Sequence, residues 1–333
     1  MAIFRHTAGL PDSARGAVVA VGNFDGVHRG HQAVIAEIKR ISERLGRPAA
    51  VLTFEPHPRR FFRPQDPPFQ LTSFRLKARL LESLGVDHVF FLTFNEALSR
   101  VSAADFVQEI LVRDLAVAHV AVGDNFHFGH KRQGNVAFLR AAGQGAGFGV
   151  TVLTRVLSPI GEAYSSTSVR DYLKAGDPNR AASLLGRYWE LEGRVQEGAR
   201  LGRTLGFPTA NIALADCLEP AYGVYAVSAG IDRGDETVWH PGVASLGVRP
   251  TVDGIDPLLE VFLFDFEGDL YGQHMRVALL DYLRPEVKFG DLEALKVQMK
   301  EDARRARVIL AAEQWEAGWP AGPFLSGGEG SGP

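Results

Sequence analysis

Gly22-Asn23-Phe24-Asp25-Gly26-Val27-His28-Arg29-Gly30-His31 follows the apolar run Ala17 to Val21. It leads into a stretch whose apolar residues, Ala33, Val34, Ile38, Ile41 and Leu45, read as a helix. A strand, a glycine-rich turn and a helix start in succession predict a nucleotide phosphate site. Free N–H groups at a helix N-terminus favour anions, and glycines let the backbone come close. His28 and His31 lie three apart, on one face of the first helical turn. Two imidazoles there can donate hydrogen bonds to a triphosphate. Helix capping, or a satisfied surface pair, is the plainer reading of the same histidines. As metal ligands they lack a third partner, since neither H-E-x-x-H nor a nearby carboxylate cluster supplies one.

Outward from this stretch, the first half alternates apolar β-branched runs with amphipathic ones. Strands are expected at Ala17–Val21, Ala49–Phe54, His88–Leu92, His119–Val122 and Val150–Leu153, and helices beginning near His31, Ser73, Ser102, Asn135 and Ser166. Such alternation predicts a Rossmann-like, doubly wound α/β domain with ligands at the C-terminal strand ends. Each chemical motif of this half follows a strand: Gly22–His31 the first, Glu55–Pro58 the second, Gly123–Gly129 the fourth. No P-loop is present, and no G-x-G-x-x-G follows the first strand. Gly143-Gln144-Gly145-Ala146-Gly147 reads as a loop between a helix and a strand.

Near Arg187 the pattern changes. Tyr188–Val195, Gly223–Ala229, Thr237–Leu246, Leu259–Phe266 and Arg276–Leu283 are short aromatic and β-branched runs broken by Gly and Pro. They predict an antiparallel β-barrel or sandwich. Leu292, Leu295, Met299, Ala303, Ala306 and Leu310 predict a terminal helix covering one side of it. The expected organisation is therefore one domain over residues 1–186, a second over 187–320 and a disordered tail over 321–333.

With 333 residues, 46% of them hydrophobic, and a net charge of −3, the chain reads as an ordinary globular protein of about two domains. That charge gives no reason to expect nucleic acid or a membrane surface as partner. No run approaches the roughly 18 apolar residues of a spanning helix, and no signal-peptide core is seen. Cys217 is the single cysteine, so a disulfide within the chain and a cysteine zinc site are both excluded. A cytoplasmic setting is expected; oligomeric state is not legible.

The decamer resembles the H-x-G-H element of nucleotidylyltransferases, and in full it is similar to that of the bacterial bifunctional riboflavin kinase/FAD synthetases. Thr53-Phe54-Glu55-Pro56-His57-Pro58, Val122-Gly123-Asp124-Asn125-Phe126-His127-Phe128-Gly129 and Ser165-Ser166-Thr167-Ser168-Val169-Arg170 resemble that family's next three motifs. Gly202-Arg203-Thr204-Leu205-Gly206-Phe207-Pro208-Thr209-Ala210-Asn211 resembles its kinase signature. Gly247-Val248-Arg249-Pro250-Thr251 and Asp269-Leu270-Tyr271-Gly272 follow in order. The resemblance spans about residues 15 to 315.

It implies two reactions: ATP with Mg²⁺ phosphorylates riboflavin to FMN, and ATP then adenylylates FMN to FAD. Adenylyl transfer to a phosphate that is already an anion needs no base, only alignment and charge neutralisation. His28 and His31 suit that role, with Gly22, Phe24, Asp25, Gly30, Ser165, Ser166, Thr167 and Arg170 around ATP. Ser166 or Thr167 reads equally as a helix cap. Phe54, Pro56, Pro58, Asn125 and Phe128 are expected to grip the flavin, although core packing explains each aromatic taken singly. Phosphorylating a hydroxyl does need a base, and Glu260 is the candidate. It alternates with Phe262, Phe264 and Phe266 against Leu259, Val261 and Leu263, which predicts a strand buried on both sides. A salt bridge to Arg249, itself expected at the flavin, is the alternative reading of Glu260. Thr209 and Asn211 are expected at Mg²⁺, and Gly198, Gly202 and Arg203 at phosphate.

Two residues depart from the family pattern: Ser245 stands where Asn is usual, and Phe262 where His is common. Kinase activity is expected to persist with altered flavin affinity or pH optimum. A nucleotidylyltransferase with a merely acceptor-binding second half, or a flavin sensor without turnover, would need neither Pro208-Thr209-Ala210-Asn211 nor a base at Glu260.

Overall fold

The computed structural model describes residues 1–197, 207–233, 236–251 and 254–312, the side chains of 233, 236, 249–251 and 254–256 excepted. Gly198, Gly202, Arg203, the tail over 321–333 and the Arg249 side chain thus lie outside the described residues. The chain divides into two compact units. Met1–Pro67 with Phe74–Ser165 forms the first, and Pro68–Ser73 with the chain from Ser166 onward forms the second.

The first unit is built on β1 (Ala2–Phe4), β2 (Val18–Val21), β3 (Ala49–Glu55), β4 (His88–Thr93), β5 (His119–Gly123), a hairpin of β6 (His127–Phe128) and β7 (Gly134–Asn135), and β8 (Gly149–Leu153). Its six-stranded sheet has the order β1-β4-β3-β2-β5-β8 with every pair parallel. The run Val18–Val21 is buried at every position, as a parallel strand covered on both faces must be. After β2 the chain lays β3 and β4 on one side, then crosses to lay β5 and β8 on the other. The order therefore reverses between β2 and β5, where doubly wound sheets open a crevice at their C-terminal edge. The helix Arg29–Leu45 turns Ile35, Ile38 and Ile41 into the core and stops at Gly46, whose φ of 62° is the left-handed cap that glycine adopts without strain.

Three features of this unit differ from expectation. The edge strand β1 was not foreseen, being only three residues long. The helix expected near Ser102 does start there, Ser102 accepting from the Asp105 N–H at 3.0 Å, but Phe106–Asp114 is wound wider than an α-helix. Gly143 to Ala146 is no loop: it is the end of the helix Val136–Ala146, which Gly147 closes at φ 82°. A Cβ on Gly143 would lie 2.8 Å from Val150 and 2.9 Å from the Phe148 carbonyl, so close packing accounts for that glycine.

The second unit begins with helices Ser166–Lys174 and Pro178–Leu185. It continues through β9 (Trp189–Arg194), β10 (Ala210–Ala213), β11 (Gly223–Arg233), β12 (Glu236–Thr251), β13 (Gly254–Leu263) and β14 (His274–Arg284) to a terminal helix, Leu292–Ala312. The strands are antiparallel in the order β10-β13-β12-β11-β14-β9. The Gln196 N–H donates to the Asn211 carbonyl at 2.9 Å, so the chain after β9 meets β10 and the sheet curls into a barrel. Leu259, Val261, Leu263, Leu246, Val227 and Leu279 fill one face, all buried. The terminal helix packs Ala306 and Leu310 over the other face with Ala226, Val243 and Leu280. The six residues Pro68–Ser73 belong here too: Trp189 Nε1 donates to the Leu71 carbonyl and the Leu218 N–H to that of Gln70, both at 2.8 Å.

Arg284, at the end of β14, fastens the terminal helix. Its Nε and Nη2 donate to both oxygens of Asp302 at 2.7–3.0 Å, and Gln298 adds a bond of 2.9 Å to the same carboxylate. Asp302 is buried and the Arg284 side chain is only 16% exposed, so removing one partner strands the other charge in a poor solvent. Asp302→Ala should cost the second unit about 3 kcal/mol and lower its unfolding midpoint by roughly 10 °C, read by calorimetry.

The strand carrying Glu260 is a correction. It ends at Leu263 rather than Phe266, because Phe264 and Asp265 form a turn with Asp265 left-handed at φ 52°. Only the Leu259, Val261, Leu263 face is fully buried. Glu260 and Phe262 are half-buried, so the strand is covered on one side and part-open on the other.

Candidate active sites

In the first unit, three motifs converge because β3, β2 and β5 are adjacent and parallel. The decamer leaves the end of β2, Glu55–Pro58 the end of β3, and Asp124–Phe128 the end of β5. Thr53 Oγ1 donates to the Asn23 carbonyl at 3.1 Å and ties the first two together. Phe24 and Val27 are left-handed, at φ 48° and 44°, conformations costly for residues with a side chain. Both are buried, and the Phe24 ring lies 3.3 Å from where a Gly22 Cβ would stand.

His28 is the N-cap of the helix Arg29–Leu45, its Nδ1 accepting from the His31 N–H at 3.3 Å. Capping and function are therefore not alternatives here. A lone pair in use on Nδ1 leaves the ring's N–H on Nε2, available to donate. The two imidazoles stack with centroids 3.7 Å apart and planes at 18°, while Phe24 tilts against His31 at 5.1 Å. A Cβ on Gly30 would stand 3.1 Å from the His28 ring and 3.3 Å from the Tyr164 Cβ, so the turn is tightly packed there. His57 repeats the device, capping the short helix Pro58–Phe62 by accepting from the Arg59 N–H at 3.1 Å.

Asp25 is buried at 2% exposure and Lys77, on the helix Phe74–Ser83, at 1%. Burial pushes the Lys77 ammonium down, and the charges of Asp25 and Glu55 oppose the shift. No sequence signal distinguished this lysine from its exposed neighbours. Phe61, Phe62 and Phe94 were also missed. With Phe54 they form an edge-to-face group, centroids 5.2 to 5.9 Å apart, in which Phe62 is 63% exposed. Pro56 is exposed beside them and Pro58 half-buried. Asn125 is exposed, its Oδ1 3.3 Å from a Cβ on Gly123. Phe128 is buried, packed with Phe106, Phe126 and Phe138.

Ser165 closes the first unit. Ser166, Thr167 and Arg170 belong to the second, where the two hydroxyl residues lie inside the first turn of their helix rather than before it. Arg170 Nε donates to the Phe69 carbonyl at 2.8 Å, with its guanidinium 5.5 Å from the centre of that ring.

In the second unit the register of three strands assembles the site. Asn211 on β10 pairs with Glu260 on β13, and Glu260 pairs with Ser245 on β12. Directly paired residues share a face, with Cβ atoms about 5 Å apart. An amide, a carboxylate and a hydroxyl thus stand in one row on the outer side of the barrel, and Thr209 lies just before β10, two residues from Asn211. Asn211 is 6% exposed, and its Oδ1 is buried with no hydrogen-bond donor among the described residues. A hard oxygen left so is costly without a cation or donor to meet it. The ring of Phe262 meets Phe207 at 5.0 Å and Phe264 at 5.9 Å, edge to face.

The family model for FAD synthetase matches residues 10–168, and that for riboflavin kinase residues 185–310. A bifunctional riboflavin kinase/FMN adenylyltransferase of Pseudomonas fluorescens is 45% identical over 312 residues, covering 93% of this chain and 98% of that protein. One of the same description from Escherichia coli strain K12 is 41% identical over 292 residues, covering 88% and 92%. Among solved structures, one from Streptococcus pneumoniae described as a macrolide-efflux protein is 28% identical with a TM-score of 0.79, covering 92% of this chain and 98% of that one. Among the described residues here, no helix is long and apolar enough to cross a membrane.

Proposed function

Because the chain belongs to the bifunctional riboflavin kinase/FMN adenylyltransferase family, we propose that its two halves divide FAD synthesis between them: residues 1–186 carry the adenylyl transfer and 187–320 the phosphorylation. The chain phosphorylates riboflavin to FMN and joins FMN to AMP from ATP, giving FAD. Its setting is the cytoplasm, where both flavin and ATP are met.

In the first half, the decamer's helix start receives the triphosphate. His28 and His31 donate to it and neutralise charge that grows at the α-phosphate and the leaving pyrophosphate. Gly22, Phe24, Asp25 and Gly30 shape that turn. The flavin ring lies on the aromatic group at the ends of β3 and β4, with Phe54, Pro56 and Pro58, and Asn125 bonds its polar edge. Phe128 supports that floor from the core. The parts of Ser165, Ser166, Thr167 and Arg170 rest on their motif.

In the second half, Glu260 accepts the proton of the attacking flavin hydroxyl. The observation that carries this reading is the register that sets Glu260 beside Asn211, whose buried Oδ1 meets no donor among the described residues. That oxygen fits Mg²⁺, and Thr209 and Asn211 would hold it with the ATP phosphates. The ion supplies neutralisation of phosphate charge there. Ser245 and Phe262 flank the base, and they alter its surroundings without removing it.

Purified protein incubated with riboflavin, ATP and Mg²⁺, its flavins then separated chromatographically, should yield FMN followed by FAD. A chelator should stop FMN formation. Failure to form either product across pH and metal concentration overturns the reading.

A further inference from the structure

Beyond β14 the chain runs Arg284-Pro285-Glu286 and reaches the outer face of the barrel, where Glu260 lies. A Cβ placed on Gly247 would run into both carboxylate oxygens of Glu286. The carboxylate therefore rests on the bare Cα of Gly247. Gly247 is two residues along β12 from Ser245, the register partner of Glu260. Alternation puts 245 and 247 on one face, about 7 Å apart along the strand. Two carboxylates thus occupy one face, one beside Ser245 and one over Gly247.

The backbone leading to the second is held in place. Arg284, two residues before it, is locked to Asp302 by three bonds of 2.7–3.0 Å. Tyr282 donates to the Tyr222 carbonyl at 2.9 Å on the same edge. Burial and the bond to Glu219 push the Tyr222 hydroxyl up to about 12, and the charge of Glu286 adds to the rise. Glu286 itself remains exposed. An exposed carboxylate over bare backbone, on the face that carries Glu260, is set to accept hydrogen bonds from a substrate crossing that face.

We propose that Glu286 is a specificity residue of the kinase half, its carboxylate accepting hydrogen bonds from hydroxyls of the polyol chain that the flavin carries. The chemistry fits the groups. An ionised carboxylate is acceptor-only and polyol hydroxyls are donors, so the pairing discriminates against a flavin lacking them. A side chain at 247 would move the carboxylate away from that place. The inference rests on Glu260 being the base of this face.

The test measures three quantities in Glu286→Ala and Glu286→Gln: KM and kcat for riboflavin, and the inhibition constant of lumiflavin, a flavin ring with no polyol chain. The expected result is a rise in riboflavin KM of about 10- to 100-fold, smaller for Gln than for Ala, with lumiflavin inhibition unchanged. Conversion of FMN to FAD should match the unaltered protein, and an unchanged thermal unfolding midpoint of the second unit, read by calorimetry, reports that the kinase half is folded. Equal weakening of riboflavin and lumiflavin would overturn the proposal, since it would make Glu286 a structural prop. An unchanged riboflavin KM would overturn it as well. Glu260→Gln assayed alongside separates the two ideas: if it phosphorylates riboflavin normally, the placing of the base itself is wrong.

Discussion

Glu260→Gln is expected to lower FMN formation about a thousandfold while FMN is still converted to FAD at the normal rate. The amide keeps the shape of the side chain and its place between Asn211 and Ser245 but cannot take a proton. Positioned bases contribute roughly 10² to 10⁴ in rate, and a flavin hydroxyl is too weakly acidic to attack phosphate without one. Binding should survive, so kcat falls and KM for riboflavin moves little. The measurement is chromatographic: riboflavin persists in one tube, and FAD accumulates in another supplied with FMN. Loss of both reactions would mean that the variant is misfolded. Retention of both would move the base elsewhere, and among the described residues no other carboxylate pairs with Asn211.

The converse result is expected of His28→Ala combined with His31→Ala. FAD formation should fall at least about a thousandfold with riboflavin phosphorylation intact, because each donor aimed at developing charge is worth about 10² to 10³. His28 is also the helix cap, and losing a cap costs about 1 kcal/mol. His28→Asn distinguishes the two losses. Asparagine is among the best N-caps, so this variant should unfold at nearly the temperature of the unaltered protein and still lose most of its FAD formation. Recovery of activity in the Asn variant would reduce His28 to a structural cap.

Much of this was legible beforehand, for identifiable reasons. Parallel strands buried on both faces advertise themselves as continuous apolar runs, and β2, β3, β4 and β5 lie within a residue or two of where such runs predict them; the half-buried edge strand β8 does too. Side-chain alternation placed Glu260 with Phe262, and ordered motifs placed Asn211. What escaped was set by tertiary context. Lys77 reads as one more charge on an amphipathic helix, and only the fold buries it near Asp25. Phe61 and Phe62 are unremarkable until β4 brings Phe94 beside them. The strand of Glu260 was read too long because Phe264 and Phe266 continue the alternation, while the left-handed Asp265 that breaks it has no signature in an Asp alone. Gly143 to Gly147 misled for the opposite reason: helix interiors disfavour glycine, yet a close neighbour at Gly143 left no room for more.

The assignment of Pro68–Ser73 to the second unit bears on how this protein can be taken apart. A gene cut at the junction suggested by sequence, between 186 and 187, would deliver a barrel whose Trp189 indole and Leu218 amide have lost their acceptors, Leu71 and Gln70. Both are buried, and the bonds run to backbone that no longer accompanies them. The kinase half is not a free-standing cassette in this chain. It borrows a six-residue splint from sequence more than a hundred positions upstream, and a graft or truncation that means to keep it sound must bring that splint along.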